Sequence, residues 1–344
     1  MPIRPPEIAK DKPAAATPMA FAKAIASAYR LYGREPAGAL KLAQITPASL
    51  QQIDGHITAA QMEVLSGAAM HELDDEALGA FSRRLPWGSY GMLARASITS
   101  PNLGIALRRW CRHHALLTDD IVLRVTTSGN VAAITVNERK PGGVAEFGLV
   151  HVLRNIHGLA CWYVDSRIAL QGAFFPFAAP PHADAYALMF PGPLRFGAAQ
   201  AEIRFDARYL DLPLRRDEKA LQQMLQRALP LTVLQYRRDR LLVQQVRQVL
   251  ATQPHQGHNA AGVAEQLNIS VRTLHRQLRE EGASLQQLKD EVRFGRAKDF
   301  LNRSDKPVKQ VAAAVGFLNE KSFTRAFRLQ TGLTPSEFRR ENPK

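Results

Sequence analysis

Cysteine is scarce in this chain, whose 344 residues include only Cys111 and Cys161. Neither belongs to a CxxC pair or to a Cys/His spacing suited to zinc, so the sequence lacks both a disulfide framework and a zinc motif. We expect two reduced thiols and no metal. The neighbouring pair His113-His114 is interpreted as exposed, with no third ligand nearby.

A long apolar run is also lacking. Positions 1–21 contain no apolar segment of the kind found in signal peptides. The least polar stretch, Ile168–Ala183, holds three prolines and is too short to span a bilayer. The sequence therefore predicts a soluble, cytoplasmic protein.

Catalytic motifs are lacking as well. No GxSxG nucleophile elbow, GxGxxG dinucleotide loop or Walker phosphate loop occurs in the chain. Isolated residues such as Ser166 do not define a catalytic site. The sequence favours a protein that is not an enzyme and has no cofactor, while an N-terminal catalytic domain stays open as an alternative.

Positive charge, in contrast, is abundant and unevenly distributed. The whole chain has 45 Lys and Arg against 31 Asp and Glu, a formal net charge of +14. Positions 236–344 hold 20 of these cations against 11 anions, which leaves 25 against 20 for positions 1–235. A basic C-terminal segment predicts a polyanionic partner, but charge alone does not separate DNA from RNA or from a membrane surface.

The segment 308–340 has the periodicity of a helix-turn-helix. An apolar face is interrupted at Gly316-Phe317, and a second helix is predicted to start near Lys321. The inward positions of the two helices are Val311, Ala312, Val315, Phe323, Ala326 and Phe327. The outward positions of the second helix are Lys321, Thr324, Arg325 and Arg328. Gly332 is expected to end this helix, and Thr334-Pro335 to begin another.

The same pattern occurs a second time, further upstream in the chain. The apolar positions of this copy are Val263, Ala264, Leu267, Leu274 and Leu278. Its outward positions are Arg272, His275, Arg276 and Arg279, which keep the spacing of the outward positions in the C-terminal copy. A single basic amphipathic helix is usually just a solvated face. Two copies with matching inner and outer faces indicate a pair of DNA-binding helix-turn-helix motifs.

Particular residues of the C-terminal copy match a known signature. They are the runs Val311-Ala312-x-x-Val315-Gly316-Phe317, Ser322-Phe323-x-Arg325-x-Phe327 and Gly332-x-Thr334-Pro335-x-x-Phe338-Arg339. Together these runs resemble the signature of the AraC/XylS family of bacterial transcription regulators. Between the two copies, Arg293-Phe294-x-x-Ala297-x-x-Phe300-Leu301 resembles that family's linker helix, which we predict over Leu285–Arg303.

The resemblance implies an all-α DNA-binding domain over residues 236–344, with helix-turn-helix motifs at 260–281 and 308–331 joined by the linker helix. It implies a sequence-specific transcription regulator of double-stranded promoter or operator DNA, located at the bacterial nucleoid when bound. Contact with RNA polymerase fits such a role. Activation is the usual mode in this family, although the sequence leaves the operator and the sign of regulation open.

The candidate DNA-binding residues belong to the outward faces of the two recognition helices, and the resemblance points to the same two faces. These residues are Arg272, His275 and Arg276 on the first recognition helix and Glu320, Lys321, Ser322, Thr324 and Arg325 on the second. Arginine can read guanine through its O6 and N7 atoms, whereas Thr324 is better suited to a phosphate. A linker helix at about 1.5 Å per residue spans roughly 28 Å, so one subunit is expected to read two adjacent major-groove segments.

Positions 1–225 have the patterning of an α+β domain. The segment 1–18, rich in Pro and Ala, is expected to be disordered, and a sensor or dimerisation domain is predicted over 19–225. Ile121–Thr127 and Val131–Val136 predict a β-hairpin, with further strands at 194–196 and 202–206. Helices are predicted at Phe21–Tyr32, Ser49–Ile53, Thr58–Ser66, Asp74–Ser82, Leu103–Leu116, Phe147–Tyr163 and Leu221–Val249.

Three runs in this part resemble the arabinose-binding-type N-terminal domain of some family members. They are Ser100-Pro101-Asn102-Leu103-Gly104-x-Ala106-Leu107-Arg108, Phe190-x-Gly192-Pro193-Leu194-x-Phe196 and Leu210-x-Leu212-Pro213-Leu214. This resemblance implies a small-molecule effector or homodimerisation, without implying that arabinose is the ligand. The candidate pocket residues are Trp162, Tyr163, Phe174 and Phe175, together with Phe177, although core packing is the favoured interpretation of these rings. A nonspecific architectural DNA-binding protein is the main alternative function.

Overall fold

The chain forms two compact units, Met1–Asp239 and Arg240–Lys344. The computed structural model describes residues 17–52, 55–226, 241–252, 259–304 and 306–341. Over these residues the first unit is α+β and the second is all-α, which confirms the predicted fold class. Within the same ranges, no helix combines the length and the apolar composition needed to cross a membrane.

The first unit combines helices with a five-stranded sheet and a two-stranded sheet. Its helices are α1 (Met19–Leu31), α2 (Ala37–Leu42), α3 (Pro47–Leu50), α4 (Ala59–Leu73), α5 (Ser89–Ile98), α6 (Leu103–His114), α7 (Glu146–Val164), α8 (Asp184–Met189) and α9 (Glu218–Leu225). Its strands are β1 (Thr17–Pro18), β2 (His56–Ile57), β3 (Ile121–Ser128), β4 (Val131–Glu138), β5 (Leu170–Phe174), β6 (Leu194–Arg195) and β7 (Ala201–Asp206). A 3₁₀ turn at Ala207–Asp211 follows β7.

The larger sheet has the strand order β3-β4-β7-β5-β6. Neighbouring strands are antiparallel except β5 and β6, which are parallel. Strands β3 and β4 form the predicted hairpin, in which Ser128 pairs with Val131 and leaves Gly129-Asn130 as a two-residue turn. Gly129 has φ +55°, a value that such turns require. The two further strands that the sequence predicts are β6 and β7.

The core of the first unit lies between α6, α7 and one face of this sheet. The side chains of Ile134 on β4, Ile203 on β7 and Leu153 on α7 are all fully buried. Helix α7 is buried on almost every side over its 19 residues. A helix that is apolar all round is stable only inside a protein, and this explains its place beneath the sheet.

Two of the sequence predictions about chain ends need adjustment. Thr17 and Pro18 pair with Ile57 and His56 and so do not belong to a disordered terminus. The rest of that predicted terminus, positions 1–16, lies outside the described ranges. The predicted helical region Leu221–Val249 is described only in part, as α9 and as a helix at Leu241–Thr252. Positions 227–240, between these two helices, lie outside the described ranges as well.

The predicted helix Asp74–Ser82 is wrong, because this segment forms a series of turns. Asp74 ends α4 in the left-handed conformation, with φ 49°. The buried carboxylate of Asp75 then accepts backbone N–H groups and the hydroxyl of Tyr32. Its N–H donors are Ala77, Gly79 and Leu85, at 3.0, 2.7 and 2.9 Å. A side chain that satisfies local backbone donors in this way competes directly with helix formation.

His114, interpreted from the sequence as part of an exposed pair, is in fact buried. It follows Leu107 and Cys111 at the i+7 and i+3 positions of the inward face of α6, and its ring packs edge-on against Phe81 with 6.1 Å between centroids. Burial disfavours the charged imidazolium and lowers the pKa of His114 to about 4.

The second unit consists of short helices around one long helix. Its described helices are α10 (Leu241–Thr252), α11 (Ala260–Gln266), α12 (Val271–Glu280), α13 (Leu285–Arg303), α14 (Val308–Ala314), α15 (Glu320–Thr331) and α16 (Pro335–Glu341). The predicted linker helix Leu285–Arg303 coincides with α13.

Asp75→Ala is expected to lower the free energy of unfolding of the first unit by about 3 kcal/mol, because it leaves several buried N–H groups without an acceptor. Chemical denaturation followed by circular dichroism measures this change. Asp211→Ala removes an exposed carboxylate and is the matched control, with an expected change below about 0.5 kcal/mol. Equal, small losses in both variants would show that the Asp75 turn does not depend on its carboxylate.

His114 should make the first unit less stable in mild acid. The pKa of His114 is about 4 in the folded protein and near the ordinary 6.5 in the unfolded chain, so the unfolded chain binds the proton more tightly. Stability is therefore lost as the pH falls from about 6.5 towards 4. When the pH falls from 7 to 5, the free energy of unfolding of His114→Leu should decrease by about 2 kcal/mol less than that of the wild type.

Unfolding midpoints measured over this pH range test the expectation. His275→Gln, which removes an exposed histidine of the second unit, should keep the wild-type dependence on pH. An unchanged pH dependence in His114→Leu would contradict the role given to His114.

Candidate nucleic-acid interface

Helices α11 and α12 form the first helix-turn-helix. The turn between them passes through Asn268 at φ 53°, a left-handed conformation that Asn tolerates better than most residues. Ser270 caps α12, because its side chain accepts the N–H of Thr273 at 3.0 Å. Leu274 and Leu278 then point inward and are fully buried.

Helices α14 and α15 form the second motif. Gly316 provides the turn at φ +79°, and Asn319 caps α15 by accepting the N–H of Ser322 at 2.8 Å. Phe323 and Phe327 are fully buried on the inner face of α15. Gly332 ends the helix at φ +81°, as the sequence predicts.

The predicted DNA-contact residues lie on the outer faces of α12 and α15. Those with exposed side chains are Arg272, His275, Arg276, Glu320, Lys321, Ser322 and Arg325. Thr324 is only half-buried, one position from the buried Phe323. The structure thus gathers the two candidate groups on two separate surfaces, one for each recognition helix.

Three of these cations are not used by the fold. Arg272, Lys321 and Arg325 make no hydrogen bond or ion pair with any residue in the described ranges. Cations elsewhere in the second unit lie over aromatic rings: Arg293 is 5.1 Å from the ring centroid of Phe317. A solvated cation on a recognition helix is available to a phosphate or to a base edge.

The long helix α13 carries both motifs because it contributes to two hydrophobic cores. Leu285 and Leu288 belong to the first core, with α10, α11 and α12. Phe294, Ala297 and Leu301 belong to the second core, with α14 and α15. At about 100° per residue, these two groups lie on roughly opposite faces of α13. The two motifs therefore pack on opposite sides of this one linker helix.

Two contacts in this unit involve residues far apart in the sequence. The carboxylate of Glu281 accepts the N–H groups of Leu242 and Val243 at 3.2 and 2.8 Å, and so satisfies donors at the start of α10. The guanidinium of Arg339 donates to the carbonyls of Leu301 and Lys306 at 3.3 and 2.7 Å, which ties α16 to the end of α13. No sequence pattern predicts a role for Glu281, and Arg339 belongs to the family signature without a predicted contact.

The aromatic residues of the first unit that are candidates for lining a ligand pocket do not lie on one common surface. Tyr163 is fully buried and donates its hydroxyl to the carbonyl of Ala94 at 2.7 Å, whereas Trp162 lies beneath the guanidinium of Arg216. The guanidinium of Arg204 lies over the ring of Phe174, 4.3 Å from the ring centroid. The buried ring of Phe175 packs among the rings of Phe177, Tyr186, Phe190 and Phe196.

No ring contact joins Trp162 or Tyr163 to Phe174 or Phe175 within the described residues. In those ranges, no three His, Cys, Asp or Glu side chains converge as ligands for a metal ion either.

The chain has an α+β unit followed by two helix-turn-helix motifs that are joined by one linker helix. This combination defines a DNA-binding transcription regulator. Comparison with known families agrees: the profile of the arabinose-binding domain of AraC transcription regulator, N-terminal, matches residues 33–214, more than half of the chain. A helix-turn-helix domain profile matches residues 263–341. The chain belongs to the AraC family of transcription regulators, as the resemblance of its motifs predicts.

Individual relatives are similar to this chain over different shares of its length. The ornithine utilization regulator of Pseudomonas aeruginosa is 26% identical over 324 residues, which cover 94% of this chain and 96% of that protein. The transcriptional activator RhaS of Escherichia fergusonii is 35% identical over 78 residues, or 22% of this chain and 28% of RhaS. Among solved structures, the regulator CdpR of P. aeruginosa is 22% identical, covers 89% of this chain and 96% of its own, and has a TM-score of 0.33.

Gly295→Ala is expected to stabilise the second unit by about 1 kcal/mol, because Gly is the weakest helix former after Pro in the middle of a helix. Gly295 is exposed within α13, and a Cβ atom there would meet nothing within 4 Å. The thermal midpoint of the second unit measures the gain. Gly316→Ala, at φ +79°, is the matched control and should destabilise instead. A loss of stability in Gly295→Ala would show that α13 needs a glycine at this position.

Proposed function

We propose that one subunit reads two adjacent major-groove segments of its operator through α12 and α15. The contacts are Arg272, His275 and Arg276 on α12 and Glu320, Lys321, Ser322, Thr324 and Arg325 on α15. Arg272 on α12 and Lys321 and Arg325 on α15 carry the proposal, because they have no hydrogen-bond or ion-pair partner among the described residues. The roughly 28 Å length of α13 supports it, since successive turns of one DNA face are about 34 Å apart.

Residues 19–225 of the first unit then act as the effector or dimerisation domain, and the DNA-binding domain spans 236–344. A dimer would occupy two such sites, arranged as direct or inverted repeats. The family match supports a small-molecule effector. The regulator of ornithine utilization among the relatives makes L-ornithine the first compound to test. We also propose that the protein activates transcription, contacts RNA polymerase, is located in the cytoplasm and has no catalytic activity.

Binding of the full chain to the DNA upstream of its own gene, measured across a salt series, tests base reading. One duplex should be preferred over random DNA by about 100-fold or more. Arg276→Ala/Arg325→Ala should lose most of this preference, because each good arginine–guanine pair contributes about 1–3 kcal/mol of discrimination. Affinity should fall steeply with salt for every duplex, because binding releases the counterions that are condensed on the phosphates.

The matched control is Arg112→Ala/Arg195→Ala, which removes the same charge from exposed positions of the first unit. It should keep the wild-type preference. Equal binding of all duplexes, unchanged by the recognition-helix variant, would indicate a nonspecific architectural protein. Cleavage or another change of the DNA would indicate an enzyme. A shift in affinity on adding L-ornithine would identify an effector.

A further inference from the structure

Strand β3 is a long, open edge of the five-stranded sheet. The opposite edge, β6, has only two residues and is preceded by Pro193, and β5 next to it carries a bulge. In contrast, β3 pairs with β4 over eight consecutive residues without a break. It contains no proline and a single charge, Arg124. Proteins usually shorten, bend or charge such an edge, because its free backbone groups attract another strand.

The hairpin turn determines which backbone groups of β3 remain free. The residues that flank a two-residue turn exchange hydrogen bonds, so Ser128, Thr126, Arg124 and Val122 bond to β4. The alternate residues direct their N–H and C=O groups away from the sheet; these are Ile121, Leu123, Val125 and Thr127. Within the described ranges, these outward groups have no hydrogen-bond partner.

The side chains of β3 would also suit another strand. Ile121 and Leu123 are buried on the face that packs against α6, and Val125 on the same face is half-buried. On the opposite face, Val122 is 40% exposed. A strand added at this edge would extend the apolar row of the inner face if it carried the same alternation. A second copy of β3 carries that alternation by definition.

We propose that two copies of this chain associate through their β3 strands, antiparallel about a two-fold axis, so that the two sheets become one ten-stranded sheet. In the fully paired register, Ile121 faces the second copy's Thr127 and Leu123 faces its Val125. Every outward backbone group of both strands is then hydrogen-bonded. This interface deepens the proposed function, since it rests on dimerisation by the first unit.

Arg124 limits the strength of this association. In the fully paired register it lies on the two-fold axis, directly opposite Arg124 of the second copy, and like charges in such a pair repel. A shift of the register by two residues moves the arginines apart but loses one pair of hydrogen-bonding residues. The dimer is therefore a reversible one whose affinity rises with salt, because salt screens the two guanidinium groups.

The dimer dissociation constant of the full chain without DNA, measured by sedimentation equilibrium, tests the interface. Val125→Pro removes an N–H that points away from β4, so the hairpin ladder is retained. The dissociation constant should rise at least about tenfold, because the hydrogen bond is lost twice in a symmetric dimer. Arg124→Thr should lower it by up to about fivefold and remove most of its dependence on salt.

Arg195→Thr, on the opposite edge of the sheet, is the control for Arg124→Thr and should leave the dissociation constant unchanged. Circular dichroism establishes that each variant is folded. A wild-type chain that stays monomeric, or a folded Val125→Pro and an Arg124→Thr that both dimerise like the wild type, overturns the proposal. Binding to a DNA site for one subunit separates this result from base reading, since Val125→Pro should bind such a site as tightly as the wild type.

Discussion

Helix α13 belongs to two hydrophobic cores at once, and the arrangement of the DNA-binding unit depends on this sharing. Because Leu285 and Leu288 face one core while Phe294, Ala297 and Leu301 face the other, the phase of the helix sets the relative orientation of the motifs. One inserted residue would rotate one motif by about 100° and move it by about 1.5 Å. Both the spacing and the rotation of the recognition helices are thus encoded in a run of 19 residues.

The second unit could be predicted almost entirely from its sequence, because its elements are specified by local signals. The run that resembles the family's linker helix located α13, and Gly332 marked the end of α15. Glu281 and Arg339 could not be assigned in this way. Each bonds to backbone groups of a helix that is distant in the sequence, Glu281 to the start of α10 and Arg339 to the end of α13. No periodicity along the chain reports such a contact.

The first unit was harder to predict for the same physical reason. The hairpin β3-β4 was found because alternation and a glycine turn are local, whereas the Asp75 turn depends on Leu85, ten residues further on. The burial of His114 follows from its phase on α6 and from the ring of Phe81, which only the folded chain brings near. The contacts of the recognition helices with bases stay predictions, since they involve a partner with its own sequence.

Among the described residues, the exposed cations Arg272, Lys321 and Arg325 form no hydrogen bond or ion pair and belong to neither core of the second unit. Replacing one of them costs the fold little, because exposed substitutions away from caps and cores usually change stability by less than about 0.5 kcal/mol. Stability and target choice are therefore encoded by separate residues of the same helices. A lineage could retarget this regulator to a new promoter by single steps, without a compensating change in its cores.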